Sequence, residues 1–130
     1  MGLIGQNSMD FRGMEVEAKL LTTDPDEVTT TVTQITNRST GVTLNSTAGQ
    51  ITTDTTSLAA AAEATFTVTN SYVTAKSVVL LSIASGAAAT PLAWVSAVAA
   101  GSFDITISNL HASTGETGAL VINYVVIDVV

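Results

Sequence analysis

Residues 102–110 read Ser-Phe-Asp-Ile-Thr-Ile-Ser-Asn-Leu, and their alternation decides the class of the fold. Phe103, Ile105 and Ile107 recur at every second position, the period at which a strand turns successive side chains to one face. Gly101 marks a turn just before them. Upstream, 92–98 alternates again, with Leu92, Trp94, Ser96 and Val98 against Ala93, Val95 and Ala97. Val78–Ile83 is an unbroken apolar run, which predicts a strand buried on both faces. Thr65–Thr69 interleaves threonine with Phe66 and Val68. Downstream, Leu120–Val130 predicts a long closing strand. Its Val125, Val126, Ile127, Val129 and Val130 leave little polar surface, so one face of it is expected to be covered by another subunit.

The first half repeats this grammar with shorter units. Strands are predicted over Met14–Leu21, Val28–Thr36, Val42–Leu44 and Ala48–Thr52. In the first of these, Met14, Val16, Ala18 and Leu20 oppose Glu15, Glu17 and Lys19. Asp24-Pro25-Asp26 and Asn37-Arg38-Ser39-Thr40-Gly41 are turn sequences, since proline fixes φ and Asp or Asn can bond the backbone two residues on. Leu58–Ala62 has helical propensity for a turn or two at most. Residues 1–13 carry Gly2, Gly5 and Gly13 with no sustained period and read as an extended N-terminal arm. About eight short strands after such an arm predict an all-β fold. Specifically, residues 14–130 should form one antiparallel two-sheet sandwich of jelly-roll or Greek-key type.

Composition excludes whole classes of function. The 130 residues include 22 Thr and 12 Ser, no Cys, one His, and 4 Lys+Arg against 11 Asp+Glu, for a net charge of −7. Thiol catalysis, Cys-based zinc sites and disulfides are therefore impossible. Four scattered cations cannot supply the basic stripe that nucleic-acid binding needs. Ser77–Phe103 is long and uncharged, but Ser85-Gly86 and Thr90-Pro91 interrupt it, which favours strands over a membrane helix. The first residues lack the basic region and apolar core of a signal peptide, and Gln6 breaks the myristoylation pattern. The expected partners are thus neither nucleic acid nor membrane.

Candidate chemical sites are few. His111 could be combined on paper with Ser113 and Asp104, but no nucleophile-elbow spacing supports a triad, and a solvated loop histidine is the expectation. Asp24-Pro25-Asp26-Glu27 lacks the alternating ligands and glycine of a calcium loop. Glu15 and Glu17 share one solvated strand face, with no burial to raise a pKa as a glycosidase pair requires. Asn37-Arg38-Ser39 and Asn45-Ser46-Thr47 fit the glycosylation pattern, which arises freely in so hydroxyl-rich a chain. Trp94 and Tyr72 could stack on a sugar, although the place of Trp94 in an alternating strand predicts a core residue. No catalytic residue, metal or cofactor is expected, and the chain does not read as an enzyme.

The run Thr33-Gln34-Ile35-Thr36-Asn37-Arg38-Ser39-Thr40-Gly41-Val42-Thr43-Leu44-Asn45 followed by Gly49-Gln50-Ile51-Thr52 resembles a pattern of small tailed-bacteriophage virion proteins. Leu58–Ala62, Phe66–Asn70 and the stretch from Gly101 to Ile127 continue it, so that the resemblance covers residues 33 to 127. It implies a head decoration (cement) protein or a fibre domain, and it implies homotrimers. A cement protein would bind the major capsid protein on the outer surface of the virion and bridge neighbouring capsid subunits. Met9, Phe11 and Arg12 are the candidate capsid contacts, since aromatic residues, Met and Arg are enriched at interfaces. The alternative is a fibre or receptor-binding domain for a host surface glycan. That role calls for an exposed aromatic cluster, whereas only 5% of the chain is aromatic.

Overall fold

A computed structural model describes residues 30–129. The expected arm at 1–13, the strand at 14–21, the Asp24-Pro25-Asp26-Glu27 turn and the contacts Met9, Phe11 and Arg12 lie outside the described residues. Within them the protein is all-β, with two four-stranded sheets facing each other. In chain order the strands are β1 (Thr31–Thr33), β2 (Val42–Thr43), β3 (Ala48–Thr52), β4 (Glu63–Thr69), β5 (Ser77–Ser85), β6 (Pro91–Ala99), β7 (Ser102–Asn109) and β8 (Val121–Asp128). One sheet has the order β1-β3-β8-β5 and the other β2-β4-β7-β6.

Antiparallel pairing dominates, and the chain adds two parallel pairs, β1 with β3 and β2 with β4. These arise because the chain changes sheet at each of its first connections, so that alternate strands return in the same direction. Only β6 and β7 form a hairpin of consecutive strands, turned at Gly101 with φ +85°. That conformation is cheap for glycine alone.

Between the sheets lie the inward residues of every long strand. Phe66, Val68, Phe103, Ile105 and Ile107 from one sheet meet Ile51, Val79, Ile122, Tyr124 and Val126 from the other, and Leu44, Leu58 and Leu120 close the ends. Each large side chain so buried stabilises by about 1.5–3 kcal/mol. Phe103 and Tyr124 meet edge to face, with centroids 5.2 Å apart. The Tyr124 hydroxyl lies within hydrogen-bond distance of the carbonyls of Leu44 and Ser46, at 3.2 and 3.1 Å, so its polar end is satisfied inside the core.

Four local expectations are corrected. Of the strand expected over Val28–Thr36, the described residues form β1, which ends at Thr33 because the Gln34 side chain turns inward and donates to the carbonyls of Arg38 and Thr40 at 3.2 and 2.8 Å. Leu58–Ala62 forms no helix. Leu58 instead makes a bridge with Glu116, and Ala61 takes φ +58° while its amide donates to Asn109. β5 is buried on one face only, with Val79 inside and Leu80 54% exposed. Trp94 is half-exposed on the outer face opposite Thr106, while Ala93 and Val95 face the core. A bulge between Val95 and Ala97 then brings Val98 inward, so the alternation read from sequence slips by one residue there.

Candidate interaction surface

The sandwich carries very little charge. Of the chain's 4 + 11 = 15 charged residues, eight fall before residue 30: Asp10, Arg12, Glu15, Glu17, Lys19, Asp24, Asp26 and Glu27. The described residues hold seven, and two of these, Arg38 and Glu116, are buried. The outer face of the β2-β4-β7-β6 sheet is a hydroxyl lattice. Thr65 and Thr106 share a hydrogen bond of 2.8 Å, Thr106 donates to Ser96 at 2.8 Å, and Thr67 donates to Asp104 at 2.7 Å.

The uncharged stretch Ser77–Phe103 folds into β5, β6 and their connecting loop, and it lies along one flank. β5 and β6 are the edge strands of their sheets and face each other across the sandwich. Each spans nine residues. Neither contains a charged residue, and among the described residues each pairs on one side only. Soluble proteins blunt long edges with lysine, proline or a covering segment. This flank has only Pro91, at one end of β6, and the two strand bulges. Leu80 and Leu92, 54% and 50% exposed, and half-exposed Trp94 add apolar surface beside it. Such a surface leaves two strand edges open to pairing beside apolar side chains.

The buried charges form a structural node. The Arg38 guanidinium donates to the carbonyls of Thr56, Glu116 and Gly118 at 2.6, 3.0 and 2.8 Å and to the Thr53 hydroxyl at 3.1 Å. Burial pulls its pKa down against the charges of Glu116 and Asp54, and arginine stays cationic regardless. The Glu116 carboxylate is fully buried and accepts from the amides of Ala88, Ala89 and Gly118 at 2.9, 2.8 and 2.7 Å. Burial pushes this carboxyl up, and the three amides with the nearby Arg38 charge overcome it and hold it below the usual carboxylate range. Every described buried side-chain nitrogen and oxygen has a partner, so the node ties loops together and offers no open valence.

The residues singled out in the sequence do not converge. His111 is a half-buried loop cap whose Nδ1 accepts from the amides of Ser113 and Thr114 at 3.2 and 2.9 Å. Asp104 is engaged by Thr67, seven positions back along a strand that rises about 3.3 Å per residue. Tyr72 sits in the loop held to the Gly101 turn, and Trp94 lies mid-strand, five residues from the end of β6 at Ala99. No group of three or more His, Cys, Asp or Glu able to hold a metal occurs among the described residues, and none of their helices is long and apolar enough to cross a membrane. The sequence reading missed Arg38 and Glu116, whose partners lie up to 80 residues away.

Compared with known proteins, the chain matches no family model, no curated protein and no solved structure.

Proposed function

We propose that this is a structural virion protein of a tailed bacteriophage. It acts as a capsid decoration (cement) protein, binding the major capsid protein on the outer surface of the assembled head and stabilising contacts between capsid subunits. The observation that carries the reading is the uncharged flank of β5 and β6, two long unblunted edges on a rigid sandwich. Self-association through that flank into a homotrimer covers the edges and presents several copies of the arm, residues 1–13 with Met9, Phe11 and Arg12, to the lattice. Multivalent contact then stabilises the expanded shell by mass action, and the mechanism needs no active site or cofactor. The outer face of β4 and β7, with Thr65, Thr67 and Asp104, suits a face left in water.

The fibre reading gains from one feature, the outward placement of Trp94, which a glycan could stack on. Against it, Trp94 and Tyr72 lie apart instead of forming a cluster. The two readings separate when purified protein is mixed with undecorated heads and with host cells, both are imaged by electron cryo-microscopy, and the solution mass is recorded. Trimers at regular lattice positions support the cement role. Binding to cells without binding to heads overturns it.

A further inference from the structure

The outer face of the β1-β3-β8-β5 sheet is divided along its strands into an apolar and a polar end. Cross-strand register sets Val78 opposite Ile127, and Leu80, Val125 and Ala48 form the next row. Beyond them Ser82, Asn123, Gln50 and Thr31 make a polar row, in which Gln50 donates to Asn123 at 2.9 Å. Two shallow depressions that share Asn123 and Tyr124 lie along these rows, one lined by Leu80 and Val125 and the other by Ala48, Gln50 and Thr30. Thr30 is where the described chain begins. Because β1 runs parallel to β3 with Thr31 beside Gln50, chain arriving at β1 comes from the Ala48 side, the apolar end of the face.

We propose that residues 14–21 of the same chain lie on this face, with Met14, Val16, Ala18 and Leu20 against Leu80 and Val125, and Glu15, Glu17 and Lys19 in water. Three observations select this occupant. Its apolar residues fall at every second position, the period that matches an extended segment laid on a sheet. The linker is long enough: residues 22–29 can span about 26 Å, and β1 to β5 is three strand spacings, about 14 Å. Its charges are also accommodated, since Glu15, Glu17 and Lys19 stay in water at an end of the sheet whose own charged residues, Lys76 and Asp128, are likewise exposed. A tether this short gives millimolar effective concentration, which favours the chain's own segment over a second copy. The inference is independent of the capsid reading.

The chain contains no cysteine, so paired cysteines test the placement cleanly in the full-length protein. Under mild oxidation, Val16→Cys and Ala18→Cys, each combined with Leu80→Cys, are expected to give intrachain disulfides, and Glu17→Cys with Leu80→Cys is expected to lose them. Equal cross-linking at 17, or none at 16 and 18, overturns the proposal. Links formed only between chains overturn it too, assigning the face to a second copy. Limited proteolysis supplies a measurement free of cysteines: cleavage at Glu15, Glu17 or Lys19 is expected to be slow in the unaltered chain and fast in Leu80→Lys, an exposed position. Rapid cleavage there in the unaltered chain refutes the placement.

Discussion

Arg38 and Glu116 show how two isolated charges can anchor a β-sandwich. Arg38 holds four oxygens from two separate segments, 53–56 and 116–118, and Glu116 gathers the Ala88 and Ala89 amides of the β5–β6 loop and the amide of Gly118 around its carboxylate. Removing the guanidinium takes a donor from each of these acceptors, of which the Glu116 carbonyl and the Thr53 hydroxyl keep the Leu58 and Leu120 amides, and leaves the Glu116 charge without its neighbour. Arg38→Ala is therefore expected to cost about 3–5 kcal/mol in denaturant unfolding, a large share of the 5–15 kcal/mol typical of a domain. Arg38→Lys should recover only part, because an ammonium cannot reproduce the planar fork. Glu116 also sets a pH dependence. Its folded pKa lies below the unfolded value of about 4.3, so ionised Glu116 contributes its full stabilisation above that pH. The contribution is lost as pH falls further, through the folded pKa. Thermal unfolding between neutral pH and pH 3 should show Tm falling at the acid end, and Glu116→Gln should flatten that fall while lowering Tm at pH 7. Part of the slope should survive in the variant from Asp54, which the Thr56 hydroxyl and amide also hold low. An unchanged acid slope in Glu116→Gln would remove Glu116 from this account.

At the scale of elements, the proposed self-association rests on the edges β5 and β6. A lysine on an exposed edge position blocks strand addition at little cost to the fold. If the proposed trimer forms through these edges, Ala84→Lys with Ala97→Lys, both exposed, gives monomer in light scattering with Tm changed little beyond the loss of association. Retention of the trimer would move the interface elsewhere. β4 and β7 were legible in the sequence because the apolar residues of their core face recur with a period of two, as Phe66/Val68 and Phe103/Ile105/Ile107 do. β5 was legible only as a strand. A continuous apolar run has no period, so nothing in Val78–Ile83 separates one buried face from two. Trp94 was misread because the bulge at Ser96 shifts the register, and the residues around it carry no glycine or proline to announce it. The Arg38–Glu116 node left no local trace, since its partners come together only through the fold. The uncovered apolar outer face, by contrast, was legible in the valine-rich end of β8, where Val125 and Ile127 turn away from the core.

At the scale of the whole molecule, the division of charge between the first 29 residues and the sandwich separates two tasks. The sandwich is a sparsely charged block whose described buried side-chain polar atoms are all paired, and residues 1–13 combine apolar groups with Asp10 and Arg12. If that segment carries the capsid contact, its loss should abolish binding without altering the block. Phe11→Ala with Arg12→Ala is therefore expected to weaken head binding by about thirtyfold or more, the effect of removing an interfacial hot spot of at least 2 kcal/mol. Tm and solution mass should stay as in the unaltered protein. Mass action adds a second observable. A ligand present at 100 times its Kd stabilises the state that it binds by about 2.7 kcal/mol per site. Heads should therefore resist heat in proportion to the logarithm of protein concentration, and the double variant should shift that curve to higher concentration with its slope preserved. A variant that decorates heads as well as the unaltered chain, at equal concentration, would transfer the contact from the arm to the sandwich itself.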